Sequence, residues 1–299
     1  MSPEKETAVP VAFTDEEVGA LVDAINARHA TSFVLQNRYG SGDGTGAYRL
    51  EGAGGRTYVL KCVRGNDTDV VERAETATTF LRGRGYPAPE YVAVGSVGGA
   101  VYEVQTALPG RHIGGIGARM HYLEQALALN DLQADGPALG GPAWPAPIVD
   151  PVLRGGKWGT TMSSHSPATA SLLAELQDIV ETNLGRVPTH RHDIVHFDFH
   201  ADNIMATPEH ITGVIDWQPV TGDRTFDLMT LAYGERTWEW SIVMPGLIER
   251  AGEVAVRVYA AYLILTNLEW GTLHHHDKVE AGIRRARKLL GALAATAGE

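Results

Sequence analysis

The chain has 299 residues, of which 44% are hydrophobic and 20% charged; this is an ordinary globular composition, and the length suits two lobes or domains. The formal net charge of −11 argues against a nucleic-acid partner, because phosphate backbones demand basic surfaces. No apolar run reaches the ~20 residues of a membrane span, the N-terminus lacks a secretory signal, and Cys62 is the only cysteine, so we expect a cytoplasmic protein without membrane contact or an internal disulfide.

The first third of the chain predicts a small antiparallel lobe. Thr14 and Glu17 form a capping-box pattern that opens a helix through about Arg28. Further segments alternate in hydrophobicity between glycine and proline turns, which is typical of strands. The predicted strands cover residues 33–35, 47–50, 56–63, 91–94 and 101–106, and a second helix covers 69–82. Two helices and about five strands predict an antiparallel α+β lobe.

The remainder of the chain is mainly helical in pattern. Leu108-Pro109-Gly110 interrupts the strands and is the candidate hinge. Helices are predicted over 122–133, over 169–184 and from 226 onward with a break near Pro245, whereas residues 134–168 are rich in Gly, Pro, Ala and Ser and predict a long irregular excursion. We therefore expect an N-terminal lobe of residues 1–107 and a larger C-terminal lobe of residues 108–299.

The residues that indicate chemistry lie between positions 196 and 216. Asp198 and Asn203 have the Asp-x-x-x-x-Asn spacing of a kinase catalytic loop, and Asp216 ends a short apolar run. Phosphoryl transfer needs a carboxylate to orient the attacking hydroxyl, and an amide and a second carboxylate to hold Mg²⁺ on the phosphates. Each residue alone is more often a core or turn residue, but their order favours the kinase interpretation.

Two features of the first lobe fit the same chemistry. Lys61 lies inside an apolar strand, where an unpaired ammonium is costly. The helix that follows offers Glu75 as its partner, with Glu72 as the second choice. An alternating glycine segment one hairpin earlier, with Ser41 and Gly42 at its tip, is placed for a phosphate-binding loop, although a flexible hairpin tip has the same pattern.

In these motifs the chain resembles the aminoglycoside phosphotransferase and choline kinase-like family, the small-molecule relatives of protein kinases. The family's His-Gly-Asp-x-x-x-x-Asn, Ile-Asp-Trp and Gly-Asp-Pro-x-x-Asp-Leu motifs correspond to His196-Phe197-Asp198 with Asn203, to Ile215-Asp216-Trp217, and to residues 222–228. Phe197 replaces the usual glycine, which restricts the backbone, and Arg224 replaces the usual proline.

The resemblance implies a protein kinase-like two-lobed fold and a role for each residue of the catalytic loop. Asp198 would orient the substrate hydroxyl or accept its proton. Asn203 and Asp216 would bind Mg²⁺, and His196 and Asp227 would brace the loop.

The resemblance also implies how the donor nucleotide binds. Lys61, with Glu75 behind it, would bind the phosphates of ATP or GTP. The adenine ring would lie on the backbone from Gln105 to Ala107.

The acceptor in this family usually lies against the C-terminal helices, which here carry Glu235, Glu239 and Glu269 among tryptophans. Carboxylates beside aromatic rings suit a cationic molecule. We therefore expect a small cationic substrate with hydroxyl groups, either an aminoglycoside or a basic cyclic peptide antibiotic, whose phosphorylation would confer resistance.

Three alternatives stay open at this point. A metabolic kinase would share the chemistry but act on an amino alcohol, a sugar or a macrolide. A metal-dependent hydrolase would use the histidines and carboxylates that crowd one segment: His190, His192, Asp193, His196, Asp198 and His200. A nucleotide-binding pseudokinase would bind ATP without turnover.

Overall fold

The computed structural model describes residues 12–39, 46–116, 120–189, 191–234 and 240–295. It divides into two compact units, Met1–Gly110 with Thr212–Gln218, and Arg111–Ile211 with Pro219–Glu299. The short second segment brings Asp216 into the first unit. Within the described ranges, no helix is both long and apolar enough to cross a membrane.

The first unit is built on one antiparallel sheet with the strand order β1-β2-β3-β5-β4. Its strands are β1 (Val34–Arg38), β2 (Ala47–Glu51), β3 (Thr57–Arg64), β4 (Tyr91–Val97) and β5 (Ala100–Thr106), and its helices are α1 (Asp15–His29) and α2 (Asp69–Gly83). The capping box is confirmed: the Thr14 side chain accepts from the Glu17 backbone, and the Glu17 carboxylate accepts from the Thr14 backbone.

A single apolar core fixes the register of this sheet. Leu60 of β3 and Val104 of β5 are fully buried partners in the β3–β5 ladder. Because side chains alternate between the two faces of a strand, this pair places Lys61 and Glu103 opposite each other on the other face.

The second unit is mainly helical, which confirms the expected α+β class. Its helices are α3 (Ile113–Ile116), α4 (Met120–Leu132), α5 (Ala146–Arg154), α6 (Gly156–His165), α7 (Pro167–Asn183), α8 (Thr225–Gly234), α9 (Trp240–Ala251), α10 (Glu253–His274) and α11 (Val279–Ala295). Its short strands are β6 (Arg111–His112), β7 (Asp193–Val195), β8 (Ile204–Ala206) and β10 (Val220–Gly222), and β9 (Ile211–Val214) begins at its border. Antiparallel pairs join β7 to β10 and β6 to β8.

Two expectations about this unit were wrong. Residues 134–168 are not an irregular excursion, because they contain α5 and α6, whose side chains Ile148 and Met162 are fully buried in the helical core. The helix does not break near Pro245 either, since α9 continues from Trp240 to Ala251 through it. In both segments tertiary packing overrides the local signal of glycine and proline.

Candidate active site

The Asp198 loop connects β7 to β8 and is closed by hydrogen bonds of its own. The Asn203 amide Nδ2 donates to the Asp198 carboxylate Oδ2 at 3.0 Å and to the Asp198 backbone oxygen at 2.9 Å. The Asp198 backbone N–H donates to His196 Nδ1 at 3.2 Å. Because Nδ2 of Asn203 faces Asp198, the amide Oδ1 is the atom that a cation would use.

His200 is a second neighbour of the Asp198 carboxylate, and it was missed as a contact of this residue in the sequence. Its Nε2 lies 3.4 Å from Asp198 Oδ1, and its Nδ1 accepts from the Asp202 backbone N–H at 3.2 Å. A neutral imidazole that accepts at Nδ1 carries its proton on Nε2, toward the carboxylate. The spacing of two residues from Asp198 within the motif was the available signal.

Asp198 is anionic at neutral pH and reachable from solvent. Burial by itself would raise the pKa of its carboxyl, but the hydrogen bond and charge of His200, with His196 and Asn203, bring the pKa below its usual value. The side chain is 40% exposed. A carboxylate that is both ionised and accessible can accept a hydrogen bond from a substrate hydroxyl.

Asp227 anchors the start of the loop from inside the helical unit. Its carboxylate accepts from the backbone N–H groups of His196 at 2.7 Å and Phe197 at 3.0 Å, and from Gln133 Nε2 at 2.7 Å. The residue has no exposed surface. Burial raises the pKa of Asp227 to about 7, against the lowering effect of these hydrogen bonds.

Phe197 adopts the backbone conformation that a glycine would adopt more easily. Its φ is +74°, in the left-handed region that bulky residues rarely enter. Its ring stacks on Phe226 with centroids 5.2 Å apart. Packing of the ring therefore compensates for the backbone strain next to Asp198.

Sequence reasoning missed the polar groups that support this anchor. Gln133 is fully buried and also donates to the Ile194 backbone oxygen. Arg224, in the position of the family's proline, pairs with Asp193 at 3.1 Å. A polar residue on the apolar side of the predicted helix was the signal for Gln133, whereas nothing local indicated the partner of Arg224.

In the first unit, Asp216 follows β9 and pairs with Lys61. The Lys61 Nζ contacts Asp216 Oδ1 directly. Asp216 has a φ of +63°, which aspartate tolerates better than most residues. The next residue, Trp217, is buried against Tyr86 with ring centroids 5.5 Å apart, and its indole N–H donates to the Val214 backbone oxygen. These contacts fix the backbone that carries Asp216.

Lys61 has a second carboxylate partner, Glu103, at 3.9 Å. Burial lowers the pKa of Lys61, and the Glu103 charge opposes this effect. The helix residue predicted as its partner, Glu75, is half-buried on α2. The ion pairs of Lys61 in the part of the chain that the structure describes are those with Glu103 and Asp216, because the sheet register sets Glu103 directly opposite. The fallback, Glu72, is exposed and accepts from the Thr68 hydroxyl.

Other predicted residues have less favourable placements or lie outside the described ranges. Ser41, Gly42, Glu235 and Glu239 belong to segments that the structure does not describe. Glu269 is fully buried in α10, so a substrate does not reach it at the surface. The N–H of Ala107 donates to the Thr57 oxygen at 3.2 Å, so an adenine ring at this strand end would replace that bond or use carbonyl groups.

The donor atoms suit Mg²⁺ better than zinc. Asn203 and Asp216 offer amide and carboxylate oxygens, which Mg²⁺ prefers. Across the described ranges, no three or more His, Cys, Asp and Glu side chains are grouped so that they could hold a metal ion. The hydrolase hypothesis, one of whose residues, His190, lies outside the described ranges, gains no metal cluster from the others.

Comparisons with known proteins agree with this arrangement. The model of the phosphotransferase enzyme family matches residues 38–269, which is more than half of the chain. No curated protein matches the sequence.

Solved structures of small-molecule kinases share the fold. An aminoglycoside phosphotransferase, APH(3'')-Id from Streptomyces rimosus, is 18% identical over 85% of this chain and 98% of its own, with a TM-score of 0.56, and has also been solved with ADP and streptomycin. Aminoglycoside 2'-phosphotransferase-IIIa in its GDP complex is 14% identical over 90% and 97%, with a TM-score of 0.63. Macrolide 2'-phosphotransferase MphH from Brachybacterium faecium is 17% identical over 91% and 98%, with a TM-score of 0.51. The expected protein kinase-like fold is confirmed.

Proposed function

Because the chain belongs to the phosphotransferase enzyme family and is a kinase, we propose that it transfers the γ-phosphoryl group of ATP or GTP to a hydroxyl group of a small cationic molecule. The observation that carries the catalytic assignment is the pairing of Asp198 with Asn203. This contact holds an ionised, accessible carboxylate in one orientation, which is what positioning of an attacking hydroxyl requires.

Asp198 would accept the hydrogen bond of the acceptor hydroxyl and so direct its oxygen toward the γ-phosphorus. Its lowered pKa keeps it in the accepting form at neutral pH. As the oxygen–phosphorus bond forms and the bond to the β-phosphate oxygen breaks, the hydroxyl proton passes to Asp198 or to solvent. The pKa that favours positioning makes Asp198 a weak base, so most of its effect is orientation.

The donor nucleotide would be held by residues of both units. Lys61 would bind phosphate oxygens, and Asn203 Oδ1 with the Asp216 carboxylate would hold Mg²⁺. When bound, the metal ion supplies positive charge that stabilises the phosphates during transfer. Relatives solved with ADP and with GDP support a purine nucleotide donor and leave both ATP and GTP as candidates.

For the acceptor, we propose a basic antibiotic, either an aminoglycoside or a cationic cyclic peptide. The net charge of −11 attracts cations, and one relative has been solved with streptomycin. The buried position of Glu269 leaves Glu235 and Glu239 as the candidate acidic contacts. The macrolide phosphotransferase among the relatives supports the alternative of a macrolide, sugar or amino alcohol acceptor.

The test is a screen of purified protein with Mg²⁺ and either ATP or GTP. Nucleotide turnover is coupled to a spectroscopic signal over a panel of basic antibiotics, macrolides, sugars and amino alcohols, and product masses are measured. We expect an acceptor-dependent turnover and a product heavier by one phosphoryl group. Binding of nucleotide with no turnover on any acceptor would instead indicate a pseudokinase.

A further inference from the structure

The carboxylate that faces Lys61 across the sheet is Glu103 of β5. The two residues are direct partners in the antiparallel β3–β5 ladder, so their side chains leave the same face at close range. The Lys61 Nζ and the Glu103 Oε1 are 3.9 Å apart, and the two side chains are 23% and 13% exposed. A charged pair this well covered is weakly screened by solvent.

A second contact fixes the Glu103 side chain. Gln105 Nε2 donates to Glu103 Oε1 at 2.7 Å, and Gln105 is 3% exposed. Residues two apart on a strand share a face, so this amide lies along the strand beside the carboxylate. Glu103 is therefore held by the sheet backbone and by a neighbouring buried side chain, and not by a long flexible reach.

The other partner of Lys61 has a competing task. Asp216 is the proposed Mg²⁺ ligand, and a carboxylate that turns to the metal ion gives up its contact with an ammonium group. Glu103 has no such task in the proposed function, so it stays beside Lys61 when nucleotide and Mg²⁺ bind.

We propose that Glu103 is the positioning residue for Lys61, in the role that the sequence predicted for Glu75 of helix α2. This inference rests on the proposed function of Lys61 as the phosphate ligand. A strand partner is set by the ladder between β3 and β5, whose seven residue pairs fix it more firmly than the packing of a helix on a sheet. Lys61 then stays oriented whether or not α2 moves, unlike in protein kinases, where placement of a helix Glu controls activity.

The experiment compares two variants of equal charge change, Glu103→Gln and Glu75→Gln. Binding of ATP with Mg²⁺ to the full chain is measured by calorimetry, which needs no acceptor. We expect Glu103→Gln to weaken binding at least about tenfold, as loss of one partner of a covered charge pair does, and Glu75→Gln to change it less than about twofold. Glu103→Asp should recover part of the loss. The reverse ranking of the two Gln variants would overturn the proposal.

A Lys61→Met background separates action through Lys61 from a general structural effect. If Glu103 acts through Lys61, Glu103→Gln should not weaken nucleotide binding further in that background; an equal loss in both backgrounds would overturn the proposal. Lys61→Met alone tests the underlying function, since unchanged binding would remove Lys61 as a phosphate ligand whatever Glu103 does. If Glu103→Gln does not yield folded protein, Glu103→Asp is used in the same cycle, with the same ranking expected.

Discussion

Lys61 and Asp216 form an ion pair with each other, although they are the proposed ligands of two different groups, phosphate and Mg²⁺. Both belong to the first unit. Nucleotide binding must therefore exchange this contact for two others, Lys61 to phosphate and Asp216 to the metal ion. The two exchanges compensate each other in charge, which predicts that nucleotide and metal ion bind cooperatively.

Asp216→Asn should separate these two effects. We expect at least about a 100-fold loss of phosphoryl transfer, since charge stabilisation by a metal ion is worth several kcal/mol. Metal-free ADP should bind as tightly as to the wild type or tighter, because Lys61 no longer competes with Asp216. Calorimetry in EDTA and steady-state kinetics in Mg²⁺ measure the two. Transfer that survives EDTA, or that requires zinc, would contradict the metal assignment.

Asp198→Ala should lower kcat by at least ~100-fold and leave nucleotide affinity nearly unchanged, because the carboxylate acts on the acceptor hydroxyl. Asp202→Asn is the matched control, as it removes a carboxylate from the same loop at an exposed position. It should keep near-wild-type kinetics. Near-wild-type turnover by Asp198→Ala would remove Asp198 from the catalytic role.

Asp227 should make stability depend on pH. Its pKa in the folded protein, about 7, lies above the ordinary 3.8, so the folded state holds the proton more tightly. The stabilisation is complete below about pH 4 and is lost as the pH rises through 7. The difference in free energy of unfolding between wild type and Asp227→Asn should therefore shrink by about 2 to 3 kcal/mol from pH 5 to pH 8.

Urea denaturation of both proteins across that range measures this difference. The fixed cost of losing a hydrogen-bond acceptor in Asp227→Asn is common to all pH values and cancels from the trend. A difference that is constant, or that grows with pH, would show that Asp227 is ionised throughout.

Gly222→Ala should destabilise the second unit by about 1–3 kcal/mol, the usual cost of overpacking. A Cβ at this position would come within 2.4 Å of the Trp144 ring, which is packed against Phe226 and Tyr259 and cannot move aside. Gly185→Ala is the control, since its Cβ would meet no atom within 4 Å. Denaturant midpoints at constant slope measure both. Equal midpoints for the two variants would mean that Trp144 has room to shift.

The catalytic loop and the sheet could be predicted from sequence because their signals are local. The spacing of Asp198 and Asn203, the capping box at Thr14 and the alternation of β3 each lie within a few residues. The partner of Lys61 could not, because the register of β3 and β5 joins positions 61 and 103, and a helix Glu close in sequence looked equally suitable. Likewise, α5 was hidden because glycine and proline suggested a loop, whereas the burial of Ile148 is a tertiary property.

The left-handed backbone at Phe197 links the helical core to the reacting carboxylate one residue away. A ring that stacks on Phe226 transmits changes of core volume to the orientation of Asp198, as a glycine would not. Laboratory evolution of this protein toward new acceptors should therefore accumulate substitutions around Phe226, far from any substrate contact, that alter turnover while leaving nucleotide affinity untouched.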